Sequence, residues 1–204
     1  MSSVTFPFEA EKLLQALVFF SKNGVRDLTK LKAAKLLYFS DKFHLLRYGR
    51  PVIGDAYFCL DFGPVPSASL NIMNEALGTE EELPAKKPIL ERLSGMLRVA
   101  HDPSSPHPRF EAVSDVDRAV FSETEIEALE DTVRQYGSLP ASRLVDLTHD
   151  DMTWRIPDRD RSAGRRADIP YRLFFEGQPE EVQAIWKLVE AEQEDRDLAQ
   201  ALTD

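Results

Sequence analysis

The strongest constraint on how this chain can fold is a long run without a helix breaker. Between Asp27 or Thr29, either of which can cap a helix, and Gly49, which stops one, the sequence reads KLKAAKLLYFSDKFHLLRY with neither glycine nor proline. Leu31, Ala34, Leu37, Tyr38, Leu45 and Leu46 recur at helical spacing and would face a core, leaving Lys30, Lys32, Lys42 and Arg47 largely outside.

The segments around this helix supply what could cover it. Phe8 to Ser21 places Leu13, Leu14, Leu17, Val18 and Phe20 on a helical stripe that Asn23 and Gly24 end. Ala56 to Phe62 (AYFCLDF) is aromatic-rich and reads as a short strand. The stretch Gly63-Pro64-Val65-Pro66-Ser67 is expected to turn sharply out of it into a helix, SASLNIMNEAL, stopped by Gly78. Thr79 to Pro88 reads as an exposed connection. MLRVAHD and RFEAVSD then read as two strands of a loose hairpin, with a helix over Ile89 to Val99 as the open alternative. Ser122 to Glu125 is a capping box ahead of IEALEDTVRQYG, and Pro140 stands in the expected first turn of PASRLVDLTHDD. RIPDRDRSAGRRADIP is expected to form a mobile loop at about residues 155–168. A last helix at about 179–202 carries Val182, Ile185, Trp186 and Val189 as its apolar stripe and frays into an acidic end. The expected fold is mainly α within the α+β class: one compact helical domain over residues 1–204 with a small antiparallel strand element.

Composition narrows the function. With 35 acidic against 25 basic residues the net charge is −10, which repels phosphate backbones and disfavours broad nucleic-acid binding. No run of apolar residues is long enough to span a bilayer, and the first residues, MSSVTFPFEAEKLL, lack a secretory pattern, so the expected location is the cytoplasm. Cys59 is the sole cysteine, read as a buried thiol in a strand. His44 follows Asp41 by one helical turn, a spacing that suits a polar contact tying the following turn or two ligands of an ion. The other histidines, His101, His107 and His149, lie in unrelated segments. No metal-binding spacing, nucleotide loop or nucleophile motif is present, so no catalytic group, metal or cofactor is expected.

The block from Lys30 to Met73 resembles the signature of the Panacea antitoxin domain, the family that includes the SocA-type antitoxins. The resemblance rests on Lys35-Leu36-Leu37-Tyr38-Phe39, on Asp41 to His44 with Tyr48-Gly49, and on Tyr57 and Gly63-Pro64-Val65. A second part is Tyr136-Gly137, Leu144, Thr148-His149 and Trp154. It implies a largely helical domain encoded beside a toxin and neutralising it by direct binding. In SocA-type members it also implies delivery of the toxin to the Clp protease. The same domain accompanies many unrelated toxins, so the family does not identify the toxin. A DNA-binding autoregulator, built from a helix pair and a strand hairpin, is the alternative.

On this reading the candidate toxin-contact residues are Lys35, Tyr38, Asp41, His44, Tyr57, Phe58, Phe62, Gly63, Pro64 and Val65, with Thr148, His149 and Trp154 as a secondary motif. Lys35 either grips the partner or pairs with a carboxylate such as Asp61. Gly63-Pro64-Val65 either fixes a turn or gives a docking edge. The arginines of the expected loop, Arg155, Arg159, Arg161, Arg165 and Arg166, are either self-compensated by Asp158 and Asp160 or form an arm that orders on an acidic surface.

Overall fold

A computed structural model describes residues 4–79, 86–103, 105–162 and 164–202. The unbroken run becomes α2 (Lys30–Tyr48), and the other elements are arranged around it. Thr29, not Asp27, is its cap, accepting a hydrogen bond from Lys32 N at 3.4 Å. Gly49 ends it in the left-handed region at φ 72°, its N–H donating to Leu45 O at 2.9 Å.

Twelve side chains of α2 are buried, charged ones among them, so the helix is covered on nearly every side. α1 (Ala10–Lys22) contributes Leu13, Leu14, Leu17 and Phe20 to the same hydrophobic cluster as Leu36, Leu37 and Tyr38 of α2. Further cover comes from α3 (Ser67–Ala76), α5 (Glu123–Tyr136) and α6 (Ala141–His149). Two of the lysines expected outside are drawn inward by partners. Lys32 is buried and donates to Arg26 O at 3.1 Å, and Lys42 is ion-paired with Asp151.

The strand element around the hairpin is a three-stranded antiparallel sheet in which β1 (Tyr57–Leu60) lies between β2 (Gly63–Pro66) and β5 (Ala167–Ile169). Cys59 is fully buried in β1. Gly63–Pro66, expected as a sharp exit into a helix, instead forms β2, so the turn is Asp61-Phe62 and Leu60 faces Gly63. Two prolines are compatible with this strand because it lies at the sheet edge, where a missing N–H costs no ladder bond. α3 follows β2 directly, and Asp55 caps it by accepting from Ala68 N, Ser69 N and Ser69 Oγ at 2.9, 2.7 and 2.7 Å.

Both readings of the central segment hold in succession. α4 (Lys87–Met96) runs into β3 (Leu97–Ala100), which pairs with β4 (Arg109–Ala112). Pro88 belongs to the first turn of α4, and residues 80–85 of the expected connection lie outside the described residues. Pro140 caps α6 from just outside it.

The arginine-rich segment departs from the mobile loop expected of it. It contains the end of α7 (Met152–Asp160) and β5 (Ala167–Ile169), the third strand of the sheet. Mixed charge signals a solvated loop only where the charges face water. Here the Arg161 side chain is 7% exposed, bound to Asp61 at 2.8 Å and to Asp158 at 2.7 Å. A 3-10 helix (Tyr171–Phe175) then buries Phe174 and Phe175. α8 (Glu180–Ala201) docks through Val182, Ile185, Trp186 and Val189 and stays helical through the acidic end that was expected to fray.

The capping box of α5 is complete: Ser122 Oγ accepts from Glu125 N at 3.3 Å, and Glu125 Oε2 accepts from Ser122 N at 2.8 Å. Ser122→Ala should cost about 1 kcal/mol of stability. Urea denaturation would show this as a lowered midpoint at unchanged slope, and an unchanged midpoint would contradict it.

Candidate functional site

The polar side chains of α2 radiate to different neighbours. Asp41 and His44 do not bond each other, as their spacing had suggested. Asp41 Oδ1 accepts from Ile53 N at 2.7 Å and Oδ2 from the Tyr57 hydroxyl at 3.0 Å. His44 Nδ1 donates to Arg50 O at 2.7 Å, which leaves Nε2 to accept from Thr124 Oγ1 at 3.0 Å. The turn after α2 is thus tied twice, from two faces of the helix. Burial pushes the Asp41 carboxyl up to about 7 and lowers the pKa of His44. The Tyr38 hydroxyl donates to Asp151 at 2.9 Å and also meets Thr153 Oγ1, joining α2 to α7.

Lys35 organises the site. It is fully buried, and its Nζ donates to Pro64 O at 2.9 Å. Asp61, the carboxylate expected to pair with it, is held by Arg161, and Lys35 forms no ion pair among the described residues. Burial lowers its pKa from 10.5 to about 7. Gly63 is required beside it. At φ 94°, a Cβ there would lie 2.5 Å from both Lys35 Nζ and Thr148 Oγ1.

The second motif closes on the same hairpin. Thr148 abuts Gly63, the His149 ring stacks on Trp154 with centroids 4.0 Å apart, and Trp154 Nε1 donates to Leu60 O at 2.9 Å. His149 Nε2 is buried with no hydrogen-bond partner among the described residues, and burial followed by the nearby Lys35 charge lowers its pKa. Two sequence motifs far apart in the chain therefore form one clasp around β1 and β2. Among the described residues no group of three or more His, Cys, Asp or Glu side chains could hold a metal ion.

The family model described as Antitoxin SocA-like, Panacea domain matches residues 34–155, more than half of the chain. The chain belongs to this family. No curated protein and no solved structure matches it. No helix among the described residues is long and apolar enough to cross a membrane.

The span shared with the Panacea family begins one residue before Lys35 and ends one residue after Trp154, enclosing both halves of the clasp. All of the expected contact residues lie inside the span, and most are withdrawn from the surface. Lys35, Tyr38, Asp41, His44, Tyr57, Gly63, Pro64, Val65 and Thr148 are buried, and Phe58, His149 and Trp154 are partly buried. Phe62, at the hairpin turn, is 66% exposed. Beside it Phe58 carries the Arg166 guanidinium over its ring at 4.4 Å from the centroid. Asp55 and Asp151 were not singled out from the sequence. The compensation of Arg161 by Asp158, three residues apart, was one of the two readings of that segment, whereas Asp61 was expected at Lys35 and not at Arg161.

The buried amine makes a signed prediction. Between about 7 and 10.5, native Lys35 has lost its proton while the unfolded chain retains it, so stability rises with pH across that window. Lys35→Met should remove that increment. Urea midpoints of the two proteins compared across the window should diverge as pH rises, and parallel curves would refute a lowered lysine pKa.

Proposed function

We propose that this protein is an antitoxin that neutralises the product of the adjoining gene by direct binding, with the β1–β2 hairpin as its principal contact. The observation that carries this reading is the contrast between the buried clasp and the exposed tip. Lys35, Gly63, Thr148 and Trp154 fix the hairpin from behind, while Phe62 stands 66% exposed at its turn. A large apolar side chain on a rigid support adds contact area at little ordering cost, which is what a binding hot spot requires. The buried polar groups of α2 are engaged in holding the scaffold, which supports action by occupation of a partner and not by chemistry. The net charge of −10 weighs against an autoregulator that grips DNA.

Co-expression with the adjoining gene tests the reading. The neighbour alone should arrest growth, and this chain should restore it. Phe62→Asp should weaken the complex at least about tenfold, equivalent to roughly 1.4 kcal/mol, while leaving thermal unfolding unchanged because the side chain is already in water. Wild-type affinity in this variant would move the contact elsewhere, and a neighbour that does not arrest growth would remove the antitoxin reading.

One feature favours a second role, delivery of the bound toxin to the Clp protease. Beyond Val189, α8 projects with side chains exposed except for Gln193, which is partly buried, and it presents Leu198 and Leu202 among acidic residues. Such a projecting segment can touch a second protein without disturbing the hairpin. Reconstituted degradation of the toxin should be stimulated by the full chain and lose that stimulation when the chain is cut after Val189, with toxin binding intact. Toxin equally stable with and without the full chain would leave a mask only.

A further inference from the structure

Just past the span shared with the family, the end of α7, β5 and the start of the 3-10 helix surround an open cleft of about 450 Å³. Its apolar lining comes from Ile156, Pro157, Ala167, Pro170 and Leu173. Four arginines, Arg161, Arg165, Arg166 and Arg172, stand around it against two aspartates, Asp160 and Asp168. Arg161 is matched by Asp61 and Asp158, so the positive character of the cleft rests on its other three arginines.

The arginines fall into two kinds. Arg161 is inward and committed, bound to Asp61 and Asp158, and its guanidinium also donates to Arg165 O at 2.7 Å. That last bond fixes the backbone from which Arg165 and Arg166 project. Arg165, Arg166 and Arg172 are exposed and take part in no ion pair among the described residues. Three guanidinium groups with no ion pair among the described residues therefore flank strand β5, a support fixed by its pairing to β1.

We infer that this cleft receives an acidic segment of the toxin, a short stretch with carboxylates on either side of an apolar residue. The inference rests on the toxin-binding reading above. Guanidinium forks match carboxylates in bidentate fashion, and a support ordered in advance reduces the cost of binding. The apolar lining supplies a place for the intervening side chain, which an isolated surface ion pair would lack. A nucleic-acid strand fits less well. It needs a continuous positive track and free aromatic platforms, whereas Asp160 and Asp168 interrupt the track and Phe58 is already covered by Arg166. Through that stacked Arg166 the cleft adjoins the hairpin, so one partner could engage Phe62 and the cleft together.

The test titrates the full-length chain with a labelled peptide of sequence Glu-Leu-Glu-Glu-Leu-Glu, with its glutamine counterpart and with a single-stranded oligothymidylate. The acidic peptide should bind, with affinity falling as salt is added. The glutamine peptide, and the acidic peptide against R165E/R172E, should each bind at least tenfold more weakly. Both substituted side chains are exposed, so thermal unfolding of that variant should match wild type. Absence of peptide binding at low salt, or binding indifferent to the double reversal, would overturn the proposal. Tighter binding of the oligothymidylate would make the cleft a nucleic-acid site instead. The adjoining gene's product separates this failure from that of the antitoxin reading. If it binds wild type and R165E/R172E equally, neutralisation stands and the cleft falls. If it binds neither while the peptide still binds, the acidic-peptide site stands and its assignment to the toxin falls.

Discussion

The hydrogen bond from Lys35 Nζ to Pro64 O is the contact on which the rest of the site depends. A lysine amine removed from water must find an acceptor or lose its proton, and here both responses operate: a carbonyl is supplied and the pKa falls to about 7. The carbonyl belongs to an edge strand made of Gly63-Pro64-Val65-Pro66, which has few N–H groups of its own to hold it in a sheet. Lys35 therefore fastens from the helix side a strand that sheet pairing alone holds weakly. Gly63 follows from this arrangement, because the amine and Thr148 occupy the space a side chain would need.

The same principle extends along α2. A helix buried on nearly every side cannot leave its polar groups unpaired, so they become directed bonds to the surrounding elements. Tyr38 reaches α7, Ser40 bonds Thr132 of α5 at 3.0 Å, Asp41 holds the turn and β1, and His44 reaches the cap region of α5. Apolar packing alone would tolerate sliding between helices, whereas these bonds have fixed lengths and directions and specify one arrangement. The cost is that the groups must be desolvated, which is why Asp41 is pushed up to about 7 while His44 is lowered.

The helices were legible in the sequence because capping and periodicity are local. Thr29 with Gly49, and Ser122 with Glu125, mark their elements within a few residues of chain. The hairpin was legible only in part. The glycine and prolines of residues 63–66 announced restricted backbone but could not distinguish a turn from an edge strand, since the same dihedrals serve both. The arginine segment was misread for a related reason. The pairing of Arg161 with Asp61 spans a hundred residues, and no local pattern separates a buried bridge from a solvated charge run. Helix spacing likewise brought Asp41 near His44 but could not show that each had a better partner outside the helix.

Burial of the family signature bears on specificity. The residues by which the chain is recognised as a Panacea-domain protein are largely inside it, where they determine the fold and the stance of the hairpin but cannot touch a partner directly. On the toxin-binding reading, a partner would meet what the clasp presents and not the clasp itself. In this chain the presented features are Phe62 at the turn, the Phe58–Arg166 stack, and the arginine cleft beyond residue 155. The cleft and α8 both lie outside the span matched to the family, while the clasp lies within it. Phe58 and Phe62 fall inside the matched span beside the clasp and the arginine cleft falls outside it, and a substitution at exposed Phe62 or at the exposed arginines need not disturb the bonds that hold α2 in place.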